Sequence, residues 1–219
     1  MAHEFKTPLT SVMAATTALL DNPDQPPASR AELLRIADEE AKHLKELIDD
    51  SLDMARLDTS NIPVRPEPSN VCDIVREVVA SRRTGIEDRR LELVCGEHPP
   101  VIAVDRRLLR LAIKQLLDNA LKYSPPDSPV SIQVQDGSGV ITVAVTDHGN
   151  GIPIQEQGRI FERLYRSPSV EHQIPGSGLG LSIAQNIVRA HHGDLTVTSG
   201  PGETTFRLTL PREQEGTRN

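Results

Sequence analysis

The sequence predicts an α+β protein in two parts: a helical hairpin that pairs with a second copy as a four-helix bundle, followed by an α/β sandwich. Three observations predict it. Up to residue 57 the apolar residues recur only at helical spacing, in narrow stripes. From residue 71 to 211 helical segments alternate with segments of period-two alternation. Between them, "DTSNIPVRPEPSN" (58–70) is polar and proline-rich. The boundaries are therefore drawn at 1–60 for the hairpin, 61–70 for a linker, 71–212 for the sandwich and 213–219 for a tail.

In the hairpin, Phe5, Leu9, Val12, Met13, Thr16, Leu19 and Leu20 share one helical face. "DNPDQPPAS" (21–29) ends that helix. Ser29 is then read as an N-cap, with Glu32 closing a capping box. The second helix runs to about Leu57 on a stripe of Leu33, Ala37, Ala41, Leu44, Ile48, Leu52 and Ala55. Two narrow stripes do not close a core alone, and this is the reason to expect a homodimer. In the sandwich, 71–83 reads as a short helix, 91–96 and 100–105 as strands, and 106–124 as a helix. A hairpin turning at Asp136–Gly139 covers 130–149, a helix covers 180–193, and a final hairpin covers 195–211. The expected arrangement is one sheet with helices on one face.

Composition removes several function classes. The chain has 219 residues with a formal charge of -7 and no basic stripe, which argues against a nucleic-acid surface. No apolar run nears the ~20 residues that cross a bilayer, so no membrane contact is expected of this stretch. Cys72 and Cys95 fit no metal spacing and are read as free buried thiols of a reducing, cytoplasmic compartment. His43, His191 and His192 are read as surface residues.

Four segments of the sandwich carry candidate chemistry. "QLLDNALKYSP" sets Asn119 and Lys122 three apart on one helical face, with Tyr123 beside them. An amide oxygen ligates Mg²⁺, and an ammonium meets a phosphate. "DHGNGIP" places Asp147 at a strand end, where a carboxylate accepts from an amino group. Gly149 and Gly151 follow, and they allow close backbone approach. "GSGLGLSIA" (176–184) runs Gly176, Gly178, Leu179 and Gly180 into a helix start, which leaves N–H groups for phosphate. It has neither Rossmann spacing nor the Lys-Ser/Thr of a P-loop. Residues 152–175 are long and irregular and read as a lid, with Arg159, Arg163 and Arg166 as candidate phosphate contacts.

In order and spacing these segments resemble the catalytic core of a sensor histidine kinase. "HEFKTPLT" resembles the H-box, "QLLDNALKYSP" the N-box, "DHGNGIP" the G1 box, "IFERLYR" the F-box and "GSGLGL" the G2 box. The resemblance runs from residue 3 to about 211. It implies a dimerisation and phosphotransfer hairpin with His3 as phosphoacceptor, and a Bergerat (GHKL) ATP-binding domain behind it. It implies that Asn119 ligates Mg²⁺, Lys122 contacts phosphate, Tyr123 packs near the nucleotide and Asp147 reads adenine. The partners implied are ATP, Mg²⁺, a second copy and a response-regulator receiver domain. The sequence departs from the pattern at Gln115, His148 and Lys6, where the family commonly has Asn, Asn and Arg.

His3 and Thr7 are four apart on one helical face, with Glu4 beside them. If Glu4 accepts the proton of one imidazole nitrogen, the other presents its lone pair to the γ-phosphorus. Pro8 cannot donate to the Glu4 carbonyl and loosens the helix beneath that turn; without the resemblance it would mark a helix start capped by Thr7. In the family Thr7 would position water for dephosphorylation of the regulator. The rival readings are a nucleotide-gated Bergerat-fold ATPase, an inactive signalling scaffold, and a protein serine kinase of the same ATP-binding fold. His3 with Glu4 on a helical hairpin separates the first reading from all of them. Because His3 lies in a first turn, the chain is expected to be a piece of a longer protein, which in the family carries a sensor and membrane segments.

Overall fold

The computed structural model describes residues 2–57, 62–83, 90–96, 100–137, 139–170, 174 and 176–212; within helices, the side chains of Ala2, His3, Glu4, Glu46, Arg56, Leu57 and Arg83 fall outside the description. The elements in order are α1 (Ala2–Asp21), α2 (Pro27–Leu57), β1 (Glu67–Asn70), α3 (Val71–Arg83), β2 (Leu91–Cys95), β3 (Val101–Val104), α4 (Arg106–Tyr123), β4 (Val130–Asp136), β5 (Val140–Asp147), α5 (Gly180–Ala190), β6 (Asp194–Gly200) and β7 (Glu203–Pro211).

The hairpin forms as expected, with two local differences. Pro8 lies inside α1 and does not start it. The second helix begins at Pro27, where a ring locked near helical φ costs no hydrogen bond, and Arg30 N–H already donates to the Pro26 carbonyl at 3.0 Å. Ser29 is therefore inside the first turn and is no cap. Glu32 turns to Arg35 at 2.6 Å, so the expected capping box is absent. Three i,i+4 pairs, Arg35–Glu39, Lys42–Asp38 and Lys45–Asp49, also lie on the solvated face, where water screens them and they add little.

Apolar residues of the hairpin separate into two groups. Leu9, Met13, Leu20, Leu34, Ile48 and Leu52 stay exposed in the single chain. Leu47 and Met54, which the expected stripe left out, are buried, and Met54 belongs to the sandwich core. The second helix thus has one apolar edge toward the sandwich as well as a stripe of its own.

The sandwich differs from expectation in having two sheets. A five-stranded sheet runs β2-β4-β5-β7-β6, and its β2 edge is parallel to β4 while the other pairs are antiparallel. The strand β3 leaves that sheet and pairs antiparallel with β1, so residues 67–70, read as linker, are a strand. Apolar alternation could not assign β3 to either sheet. The residues before β1 are also held, because Ile62 and Val64 pack on the core. Helices α3, α4 and α5 cover the sheet with Ile74, Leu108, Leu109, Ile113, Leu116, Leu117, Ile183 and Ile187 fully buried. Cys72 and Cys95 are joined in a disulfide that ties α3 to the edge strand β2, contrary to the reading as free thiols. Closing a loop of separation 23 restricts the unfolded chain and contributes roughly 3 kcal/mol.

One polar junction sets the helices. Asp105 caps α4 by accepting from Leu108 N–H at 3.0 Å, and its second oxygen accepts from Arg65 N–H at 3.1 Å. Asp105 N–H donates to Nε2 of His191 at 3.0 Å, while Nδ1 of His191 donates to the Ile187 carbonyl at 2.8 Å. His191 is thus wholly buried at the end of α5, not on the surface; of the three, His192 is exposed and His43 is half-buried.

Burial holds the His191 imidazole below the ordinary histidine range, with the Ile187 carbonyl and the Asp105 carboxylate opposing that shift more weakly. The unfolded imidazole titrates near 6.5, so this stability is complete above that pH and is lost as pH falls through the lower folded value. The slope is at most about 1.4 kcal/mol per pH unit for one proton. Thermal melts from pH 7.5 down to 5 are expected to show falling stability in this window, and His191→Gln to flatten part of that fall.

Candidate functional site

The two helices α4 and α5 lie side by side and antiparallel. Asp105, before α4, meets His191, after α5. Midway, a Cβ added at Gly180 would lie 2.6 Å from Oε1 of Gln115. At the far end, a Cβ added at Gly176 would lie 2.2 Å from Nζ of Lys122. The register of one helix pair therefore delivers the last turns of α4, with Asn119, Lys122 and Tyr123, to the glycine loop that starts α5. Leu179, before α5, offers no capping side chain, and its N–H is taken by Oγ of Ser177 at 3.1 Å.

A second wall comes from the end of β5. Asp147 is buried, and its Oδ1 accepts from Gly149 N–H at 2.9 Å in a tight turn. At Gly149 a Cβ would lie 2.5 Å from the Tyr123 carbonyl oxygen, so this loop rests on the C-terminus of α4. Gly151 has a φ of 81°, and a Cβ there would fall 2.2 Å from the Gly200 carbonyl of the β6–β7 turn. That turn also clamps the start of the expected lid. Ser199 Oγ accepts from Ile152 N–H at 2.8 Å, and Gln157 Nε2 donates to the carbonyls of Ile152 and Ser199 at 2.9 and 3.0 Å.

The segment between the two glycine loops has no helix or strand among its described residues. Its apolar island anchors it: Ile160 and Phe161 pack on the core, and Phe161 meets Phe206 edge-on with centroids 6.4 Å apart. Leu164 adopts a φ of 62°, unusual for a branched residue, and its N–H donates to the Gly178 carbonyl at 3.0 Å. Three arginines were candidates for phosphate. Arg159 lies 4.4 Å over the Tyr165 ring and 3.7 Å from Glu162. Arg166 donates to the Ile174 carbonyl and to the Tyr123 hydroxyl. Burial raises the Tyr123 phenol above its usual range, and Arg166 partly offsets this. Arg163 is exposed.

The structure therefore brings together Asn119, Lys122, Tyr123, Asp147, Gly149, Gly151, Arg166, Gly176, Gly178, Leu179 and Gly180. It leaves Thr7 exposed on α1, and the His3 and Glu4 side chains lie outside the described ones. Sequence reading missed Asp50 and Ser177. Oδ1 of Asp50 accepts from Gln115 Nε2 at 3.2 Å, and Oδ2 accepts from the Ser177 hydroxyl. An acidic residue on a charged helix carries no signal of such a contact. A cavity of about 590 Å³ lies toward the opposite end of α4, lined by Arg65, Arg106, Arg110, Asp53 and Asp105 among others. Its charges are mixed, and none of the candidate nucleotide residues lines it. Among the described residues no helix is long and apolar enough to cross a membrane.

Gly178 supplies a direct check on this geometry. Its φ is 68°, and a Cβ there would lie 2.8 to 2.9 Å from the Leu164 main chain. Gly178→Ala should part the two loops, at a cost of about 1–3 kcal/mol for the strained backbone. Hydrogen exchange at 160–166 is expected to quicken while the α3 and α4 core stays protected.

Comparison with known proteins agrees with this architecture. Residues 1–60 match the His Kinase A phospho-acceptor domain, and residues 104–214 match the histidine kinase-, DNA gyrase B- and HSP90-like ATPase family. The heme sensor protein HssS of Staphylococcus haemolyticus is 30% identical over 212 residues, covering 96% of this chain and 45% of that protein. The chain thus spans about half the length of such relatives. Among solved structures, the mycobacterial sensor histidine kinase MprB is 32% identical with a TM-score of 0.60, covering 67% of this chain and 97% of that one. Full-length ShkA in complex with AMPPNP is 25% identical with a TM-score of 0.70, covering 98% of this chain and 45% of that one. A phospho-acceptor helical hairpin joined to an ATPase sandwich makes this chain a member of the sensor histidine kinase family.

Proposed function

We propose that the chain is an ATP-dependent protein-histidine kinase core that transfers the γ-phosphoryl group of ATP to His3 and then to an aspartate of a response-regulator receiver domain. The observation that carries the nucleotide site is the meeting of Lys122 Nζ with the Gly176 backbone at the start of α5. There a cation lies against the glycine loop that opens a helix, where the helix N-terminus favours an anion. ShkA, with its bound AMPPNP, supports placing a nucleotide in this fold. Asp147 would read the adenine amino group, Tyr123 would pack beside the nucleotide with Arg166 bracing it, and Gly149 and Gly151 would let the backbone close on the base. Asn119 would hold Mg²⁺ through its amide oxygen, and the metal would neutralise phosphate charge.

Transfer needs chiefly position and charge. One nitrogen of the His3 imidazole attacks the γ-phosphorus, the bond to the β–γ bridging oxygen breaks, and ADP leaves with those electrons. Glu4 takes the N–H proton of the other nitrogen. The phosphoryl group then passes to a receiver carboxylate, and Thr7 orients water when the regulator is dephosphorylated. The exposed Leu9, Met13, Leu20, Leu34, Ile48 and Leu52 fit a second copy that completes a four-helix bundle.

Incubation with γ-labelled ATP tests the reading. Label should be acid-labile and base-stable. His3→Gln should lower labelling by a factor on the order of 10³ or more, since it removes the nucleophile, with ADP affinity unchanged. Undiminished labelling of the variant would assign the acceptor elsewhere. Asn119→Ala should weaken ADP binding by about tenfold or more with Mg²⁺ present and little without it. Equal weakening in both titrations would make Asn119 a structural residue.

A further inference from the structure

On α2, Asp50 and Met54 face the sandwich, Met54 buried in its core and Asp50 half-buried. The Asp50 carboxylate joins two elements of the sandwich at once. Gln115 of α4, itself buried, donates its amide N–H to Oδ1 at 3.2 Å, and Ser177 of the glycine loop donates its hydroxyl to Oδ2. Ser177 in turn accepts from Leu179 N–H. An anion from the phosphotransfer hairpin thus stands against the start of α5, where the helix dipole favours negative charge. The same loop, one residue away at Gly176, adjoins Lys122.

We infer that Asp50 is a positioning residue of the ATP site, one that holds the 176–180 loop against α2 and competes with nucleotide phosphate for the donors there. The inference rests on the proposed ATP reading. Its physical basis is competition. A carboxylate and a polyphosphate are both anions, and here both seek the donors of one short loop and of the helix facing it. The competent state is then only a fraction of the nucleotide-free population, and apparent affinity is reduced by that fraction. The linkage is reciprocal: nucleotide that loosens Asp50 also loosens the sandwich from α2. Nucleotide occupancy would in this way release the catalytic domain from the helix that docks it.

Calorimetric titration of the whole chain with ADP is the test, for wild type, Asp50→Ala, Asp50→Asn and Asp49→Ala. Asp50→Ala is expected to bind ADP more tightly, by roughly three- to tenfold, the scale of one lost hydrogen-bonded contact. Asp50→Asn, which keeps one acceptor oxygen but loses the second acceptor and the charge, should fall between. The neighbouring Asp49, exposed and paired with Lys45, removes the same charge without the contact and should leave affinity unchanged. Hydrogen exchange at 176–180 without nucleotide should quicken in Asp50→Ala only; a merely structural acid would not tighten binding. Equal or weaker ADP binding by Asp50→Ala and Asp50→Asn, with wild type binding normally, overturns the inference and spares the ATP reading. An equal gain from Asp49→Ala overturns it too, since that is general electrostatics. If wild type binds no ADP, both fall together.

Discussion

The contact on which the site depends is the antiparallel pairing of α4 with α5, and the Asp105–His191 junction sets its register. Asp105 is at once the N-cap of α4, the anchor of Arg65 and the backbone donor to a buried neutral imidazole. The junction is made of groups that all need partners once buried, so any sliding of one helix on the other leaves several unsatisfied. Fixing that end fixes the far end too. Lys122 then falls against Gly176 and Gln115 against Gly180, without any residue of the site having to hold the others in place. The site is built on two packed helices with buried faces, and its covering loops are irregular.

Around this frame the loops touch one another through backbone. The Asp147–Gly151 loop rests on the Tyr123 carbonyl and on the β6–β7 turn. The 152–170 segment is tied at Ser199 at one end and at Gly178 near the other. The glycines there are required by spacing as much as by φ, since side chains would occupy the contacts. The phosphotransfer hairpin joins the same network from outside through Asp50, so the two matched domains share hydrogen bonds at the candidate phosphate loop itself. That arrangement lets domain docking and nucleotide occupancy influence one another through three side chains.

Much of this was legible in the sequence because the signals are local. Helical spacing placed α3 and α4 to within a residue, and the alternation at 130–149 gave the β4–β5 hairpin with its turn. The candidate nucleotide residues stand out in the sequence as a set because most sit beside a glycine or near an element end. The departures share a different cause, long-range partnership. Ser29 is a good cap in isolation, but Pro27 starts the helix earlier. His191 looks like a surface residue after a helix until Asp105, distant in sequence, claims its ring. Cys72 and Cys95 show no framework spacing, yet α3 and β2 bring them together. Met54 and Asp50 read as ordinary positions on a charged helix, and only the sandwich packed against that helix gives them meaning.

The claim that the α4–α5 register builds an ATP site is tested most directly by a structure of the chain with ADP and Mg²⁺ bound. The adenine amino group is expected within hydrogen-bond distance of the Asp147 carboxylate, with the phosphates against Lys122 and the 176–180 loop and the metal on Asn119. Nucleotide bound elsewhere, for example in the Arg65–Arg110 cavity, or oriented with its phosphates at Asp147, would contradict the account.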